Sequence, residues 1–405
     1  MKIVVFNVKF SENLGDGLLA ECVESALSAG RDEIEVETVD LAGRQAFATG
    51  HGGRRRLVLG LLHRLPTGVR QRLVRAVLER RLRVLRRQWE EKVEAADAVV
   101  IGGGNLFQDD DLNFPLKIGA VLDCVLRHDR PLAVYAVGVG GHWSEPAYDL
   151  FGRLKQTRLV HLSVRDGFAQ DSWRDHFPEG PAAKIVRDPG LLLDVPQTNG
   201  SLCTPPGGRL TIGLCITDPI ILQRHGAGQT DRIPFANINA YRELIELLLD
   251  DGQHVVLFCN GAREDQAFAE RIRASVASRR VDTSGTLDIS LRPEYPGELI
   301  RIIQSMDVIL AHRLHACIAA YALAIPHVGL DWDRKVEGFF NSVARETYFI
   351  KGAPPPKHVA LLLKAAQQEG IEMRRHRDII SEARAGISNM RRRLIEPDLS
   401  AIAKI

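Results

Sequence analysis

Arg313-Leu314-His315 stands after a short apolar run at residues 307–310 and before the small-residue stretch 316–324. That order predicts a strand-to-helix turn with Arg313 and His315 at the N-terminus of the helix. A helix N-terminus carries free N–H groups and partial positive charge, so with a guanidinium beside it the turn suits an anion. The helix dipole disfavours a charged His315, whereas a bound phosphate favours it. Those opposed fields poise an imidazole for proton transfer once an anionic substrate arrives. A core or capping histidine is the competing reading. Lys335, in Asp331-Trp332-Asp333-Arg334-Lys335 after the next apolar run, either extends the same positive wall or sits in a surface turn.

Four earlier segments repeat the pattern of an apolar run that ends in groups suited to a ligand. In Asn13-Leu14-Gly15-Asp16 the glycine lets backbone approach a ligand, and Asp16 either caps the following helix or contacts a sugar hydroxyl. Gly102-Gly103-Gly104, with Asp109 five residues beyond Gly104, offers bare backbone to a ligand or a tight structural turn. Gly138-Val139-Gly140-Gly141-His142 has the same placement, but no GxGxxG fingerprint in a first βα unit marks a nicotinamide site. His142 either faces a cleft or is merely exposed. Arg165, closing Ser163-Val164-Arg165, either grips a carboxylate or phosphate with its planar fork or pairs with Asp166 or Asp188.

The elements that position these groups alternate in type. Apolar runs at 2–8, 34–40, 98–101, 132–139 and 159–164 read as strands buried on both faces, with helical segments such as 16–29 and 114–128 between them. A second series runs through 210–216, 254–259, 307–310 and 327–330. The expected fold class is α/β, two Rossmann-like doubly wound domains facing a central cleft. The boundaries are 1–197 for the first domain, 209–355 for the second, and 356–405 for a helical, charged end. The Pro/Gly/Ser/Thr-rich stretch 198–208 reads as the linker.

Composition narrows the class. The 405 residues are 45% hydrophobic and 26% charged with a formal net charge of +2, which excludes a disordered chain and gives no global field for nucleic acid. The start has no signal-peptide h-region and no run approaches a spanning length, so a cytoplasmic protein is expected. The six cysteines form no CxxC pair, and no His/Cys or carboxylate cluster has metal-ligand spacing, so no metal site is expected. Residues 54–92, within a helical insertion at about 50–95, are strongly basic with leucine and valine at helical spacing. They form either a hairpin packed on its domain with solvated arginines or a helix lying on the inner face of a membrane.

Taken together, Asn13-x-Gly15-Asp16, Gly102-Gly103-Gly104 with Phe107-Gln108-Asp109, Gly138-Val139-Gly140, Ser163-Val164-Arg165-Asp166, Asp188-Pro189, Arg313-Leu314-His315 and Asp331 to Val336 resemble the polysaccharide pyruvyl transferase family over residues 1–350. The resemblance implies a fold similar to GT-B enzymes and transfer of a pyruvyl unit from phosphoenolpyruvate to a sugar of a polysaccharide or its lipid-linked precursor. It implies catalytic roles for Arg313, His315 and Arg165. Phosphoenolpyruvate is then a co-substrate, with no cofactor; its phosphate and carboxylate call for two cationic clamps, Arg165 and Arg313. His315 moves the proton, and Asp16 or Asp109 orients the acceptor hydroxyl; Gly103, Gly104, His142, Leu314 and Lys335 complete the expected substrate-binding set. The chain departs from the family pattern in its long basic segment 54–92 and in Gly141-His142, where a Gly-Pro turn is the pattern. The alternatives are a GT-B glycosyltransferase or sugar-nucleotide epimerase using a UDP-sugar, or a non-catalytic scaffold of polysaccharide synthesis.

Overall fold

A computed structural model describes residues 1–47, 67–194, 209–225, 233–278 and 284–396. The chain forms two compact units. Unit 1 comprises Met1–Ser11, Leu19–Leu192 and Ser381–Ile405, and unit 2 comprises Glu12–Leu18 and Leu193–Ile380. The segment 198–208, expected as a linker, lies outside the described residues. The charged end expected at 356–405 is shared between the two units, which divide at Ser381.

Unit 1 is built on a parallel sheet of β1 (Lys2–Asn7), β2 (Glu35–Asp40), β3 (Ala98–Phe107), β4 (Leu132–Val139), β5 (Leu159–Val164) and β6 (Lys184–Ile185) in the order β2-β1-β3-β4-β5-β6. The middle strands are apolar on both faces and buried except at Asn105 and Val139, because helices cover each side. Those helices are α1 (Leu14–Ser28), α2 (Thr67–Glu94), α3 (Asn113–Arg127), α4 (Glu145–Gly152) and α5 (Gly167–His176). The three glycines at 102–104 do not end β3, as a turn reading expects. They continue it, with Gly103 and Gly104 at φ +74° and +91° and a register shift before Phe107. Pairing with β4, Gly102 to Tyr135 and Gly104 to Val137, overrides the low strand preference of glycine.

The basic segment follows the same logic. Its part at 54–66 lies outside the described residues, and from Thr67 it is one helix, α2. Leu78, Leu82, Leu85, Trp89 and Val93 recur every three or four residues and pack into the core of unit 1, with Trp89 edge-on to Phe6 at 5.7 Å. The arginines of the other face stay in solvent or pair with carboxylates, as Arg75 does with Glu79 at 2.7 Å.

Unit 2 repeats the plan with β7 (Thr211–Ile216), β8 (His254–Cys259), β9 (Thr286–Ile289), β10 (Val308–Ala311), β11 (His327–Leu330) and β12 (Phe349–Ile350). Its order, β12-β11-β10-β7-β8-β9, is the doubly wound one, with the topological switch between β7 and β10. Ala311 pairs with Cys215, so the exits of those two strands stand side by side. Flanking them are α6 (Pro219–His225), α7 (Ile238–Asp250), α8 (Arg263–Ala277), α9 (Pro296–Gln304), α10 (Leu314–Ala322), α11 (Arg334–Ser342) and α12 (Pro356–Glu369). The last helix, α13 (Met373–Ile395), begins in unit 2 and ends in unit 1, where Arg391 donates to the carbonyls of Leu27 and Ala29. Among the described residues no helix is long and apolar enough to cross a membrane.

Candidate active site

The switch point of unit 2 gathers charge where the fold predicts a ligand. Strand β10 ends at Ala311, and Arg313 becomes the residue before the first turn of α10, with His315 the second residue of that helix. Alanines and Cys317 make α10 buried almost all round, so it lies close against its sheet and fixes the turn rigidly. Arg313 is 8% exposed, and its Nη2 donates to Asp265 Oδ2 at 2.5 Å. Asp265 is wholly buried in the first turn of α8 and also accepts the backbone N–H of Asp218 at 2.8 Å. One carboxylate therefore ties the loop leaving β7 to the turn leaving β10. Burial pushes the Asp265 carboxyl up, opposed by the Arg313 guanidinium. The guanidinium stays charged, because burial alone would lower it and Asp265 more than compensates.

The early motif belongs to this unit, although strands of unit 1 flank it in sequence. Asn13 Oδ1 accepts from Asn260 Nδ2 at 2.6 Å, and Leu14 N–H donates to Asn260 O at 2.9 Å, which docks the loop on the end of β8. Gly261 holds φ +101°, and a Cβ there would lie 2.5 Å from Leu14 Cγ and 2.7 Å from Glu12 O. The next contact is with the catalytic candidate itself. A Cβ on Gly15 would lie 2.5 Å from His315 Cβ and 2.6 Å from its Nδ1, so only a glycine lets this backbone rest on the imidazole. Helix α1 starts at Leu14, two residues earlier than expected; Asp16 thus lies inside the first turn, half-buried, and its charge acts on Arg313.

Behind this turn stands a buried, uncharged imidazole. His312 is fully buried, its Nε2 donating to Pro234 O at 2.7 Å, and burial lowers it to about 4, so it is uncharged at neutral pH. Trp332 Nε1 donates to His312 O at 2.6 Å, and the ammonium of Lys335 sits 4.8 Å from the Trp332 ring. Lys335 also pairs with Asp333 at 2.7 Å, the residue that caps α11. Cys215 is buried and pushed well above the ordinary thiol range by burial, which makes it a packing residue instead of a nucleophile.

In unit 1, Arg165 follows β5 and is 8% exposed. A Cβ on Gly138 would strike Asn105 Oδ1 and come within 2.7 Å of Arg165 Nη2, so Gly138 makes room for the guanidinium. Arg165 Nε lies 3.3 Å from Asp166, which also caps α5 by accepting the N–H of Ala169 at 2.7 Å. Asp188 is buried nearby, raised to about 6 by burial against the pull of Arg165, and accepts the N–H of Gly190 at 2.9 Å. No atom stands within 4 Å of a Cβ built on Gly104, so that backbone borders open space.

The structure thus brings together the Asp16 loop, Arg313, Leu314 and His315 in unit 2, and Arg165, Asn105 and Gly138 in unit 1. It does not bring Asp109 or His142 to either group. Both carboxylate oxygens of Asp109 hold a turn, accepting the N–H groups of Leu112 and Ser144 at 2.8 Å each. His142 is exposed; the imidazole that packs there is His176, stacked on Trp143 at 3.8 Å and bonded to Gly140 O. Sequence reasoning missed Asp265 and Asn260. The available signal was an amide at the end of a buried strand, followed by an acid in the first turn of the next helix. No group of His, Cys, Asp and Glu among the described residues is arranged to hold a metal ion.

A family model described as polysaccharide pyruvyl transferase matches residues 13–334. No curated protein matches the chain. Among solved structures, the UDP-GlcNAc 2-epimerase from Methanocaldococcus jannaschii is similar over 96% of this chain and 99% of its own, with TM-score 0.51 and 11% identity. The alpha,alpha-trehalose 6-phosphate synthase from Burkholderia multivorans is similar over 99% and 96%, with TM-score 0.51 and 13% identity. The S. aureus MnaA-UDP structure is similar over 100% and 98%, with TM-score 0.50 and 11% identity. At such identities the likeness is one of fold, the two Rossmann-like units of GT-B enzymes.

Proposed function

The chain belongs to the polysaccharide pyruvyl transferase family, and from that premise we propose that it moves a pyruvyl group from phosphoenolpyruvate onto a pair of hydroxyls of a sugar. The observation that carries this reading is the docking of the Asn13-to-Asp16 loop on the Arg313-Leu314-His315 turn, with Gly15 seated on the imidazole. Two motifs about 300 residues apart in sequence meet at the switch point of one sheet, where an anion-holding guanidinium is already fixed by a buried carboxylate.

The chemistry is then as follows. Arg313 and the N-terminus of α10 hold an anionic group of the donor. His315 delivers a proton to the methylene carbon of the enol, which becomes a methyl group and leaves cationic character at C2. A sugar hydroxyl adds to C2 and loses its proton, with Asp16 orienting it. The C2–O bond to phosphate breaks, phosphate departs, and a second hydroxyl adds with loss of its proton to close the ketal. Donor and diol thereby become ketal and inorganic phosphate, with no change in oxidation state.

The test is to incubate the protein with phosphoenolpyruvate and candidate glycans, following phosphate release and the product mass. A glycan that gains a three-carbon acidic substituent with release of phosphate is the expected result. Release of UDP from a UDP-sugar, with no phosphate formed from phosphoenolpyruvate, would replace this reading with that of an epimerase or glycosyltransferase.

A further inference from the structure

Outside the site described above, unit 1 holds a buried cation that the mechanism does not use. Lys117, on the second turn of α3, is 8% exposed, yet among the described residues its ammonium has neither a hydrogen-bond nor an ion-pair partner. Its nearest aromatic neighbour is the ring of Phe114 at 5.6 Å. An ammonium on a side chain so largely buried, with no counter-ion bonded to it, is costly, and folded proteins seldom keep one without use. The charges facing it are Arg44, Arg81, Asp40 and Asp110, with burial and then Arg44 dominating.

Neither acid is hydrogen-bonded to the Lys117 ammonium. Asp40, at the end of β2, is committed to other partners: Arg44 at 3.0 Å and the backbone N–H groups of Phe10 and Ala42 at 2.9 and 2.7 Å. Arg81 reaches the same loop, donating to Ala42 O at 2.5 Å. The turn into α3 carries carboxylates as well as the helix N-terminus. Asp110, Asp111 and Leu112 are successive residues at φ 41°, 57° and 67°, and the helix N-terminus has no side-chain cap. Beside Asp40, half-buried Phe10 and Phe47 meet edge to face at 5.1 Å.

We propose that Lys117, Arg44 and Arg81 form an anion subsite at the carboxyl end of β2 that takes the phosphate or diphosphate of a sugar phosphate, with Phe10 and Phe47 beside the sugar. A tetrahedral anion supplies the counter-charge that Lys117 lacks, and aromatic faces suit the C–H surface of a sugar ring. The identity of the occupant as acceptor rests on the transferase reading; the affinity for the anion does not.

Calorimetric titration with inorganic pyrophosphate tests it. The full-length protein is expected to bind saturably, Lys117→Met to bind at least tenfold more weakly, and Lys117→Arg to stay within a few-fold. Arg174→Ala, an exposed site on α5, serves as control and is expected to match the unaltered protein. Glucose 1-phosphate is expected to bind more tightly than inorganic phosphate, a margin that Phe10→Ala removes. Absence of saturable binding, or equal affinity in Lys117→Met, overturns the subsite; equal affinity for phosphate and sugar phosphate overturns its sugar component. Phosphate release from phosphoenolpyruvate with a neutral sugar acceptor is measured separately. Its failure strikes the transferase reading and leaves the anion affinity standing.

Discussion

Replacing Gly15 by alanine adds one methyl at the point where two motifs touch. The methyl would lie 2.5, 2.6 and 2.8 Å from three atoms of His315, where ordinary contact is 3.4–4 Å. The imidazole must therefore retreat by about 1 Å. Gly15 does not hold a left-handed backbone, so alanine meets no conformational penalty there, and its better helix propensity returns about 1 kcal/mol. Overpacking of this kind costs about 1–3 kcal/mol, which leaves a net loss of about 0–2 kcal/mol. If His315 is the proton donor proposed above, the effect on turnover is larger, because displacing such a group by about 1 Å costs about 100-fold. Urea denaturation and phosphate release from phosphoenolpyruvate, run on the same preparation, separate the two effects. Stability raised by the full propensity gain together with undiminished turnover would refute the contact and the role of His315 at once.

Three further outcomes follow from the same geometry. Arg313→Lys should lower turnover by about 100-fold or more, since a point charge replaces a fork fixed by Asp265; near-normal kinetics would remove Arg313 from the donor site. Asp265→Asn leaves a buried guanidinium uncompensated and should destabilise the protein by about 3–5 kcal/mol in a urea melt, and a loss below about 1 kcal/mol would contradict the pairing. Lys117 is lowered to about 8 from 10.5, so below pH 8 the folded state bears a cost of about 3 kcal/mol for keeping it charged. Between pH 8 and 10.5 the folded state releases a proton that the unfolded chain retains, so that cost fades as pH rises. Lys117→Met should accordingly be more stable than the unaltered protein at pH 7 by about 3 kcal/mol, with the margin closing by pH 10.5; a margin constant with pH would exclude this cause.

The buried strands were plain in the sequence because parallel strands covered on both faces read as continuous apolar runs. The short edge strands β6, β9 and β12 were not, since partial exposure leaves them no such run. The passage of β3 through three glycines was equally hidden, because pairing partners that stabilise it lie about 30 residues away in β4. At the candidate site, Arg313 and His315 stood out by type and by position after a strand. Asp265 did not, as its meaning comes from two loops that meet only in the fold, one 47 and the other 48 residues away. His142 drew notice by its type in a glycine-rich loop, yet the imidazole that the local structure uses is His176, which lies 36 residues from Gly140.

The seven residues Glu12–Leu18 have a practical consequence for anyone dissecting this molecule. They come more than 170 residues before the rest of their unit, which resumes at Leu193. An expression fragment beginning at residue 209 would lack the strap that covers Asn260, Gly261 and His315, leaving Leu14's berth vacant and amide groups of Asn260 unpaired. Adding the strap back as a synthetic peptide is the natural complement to such a fragment, because residues 193–380 alone do not make up unit 2.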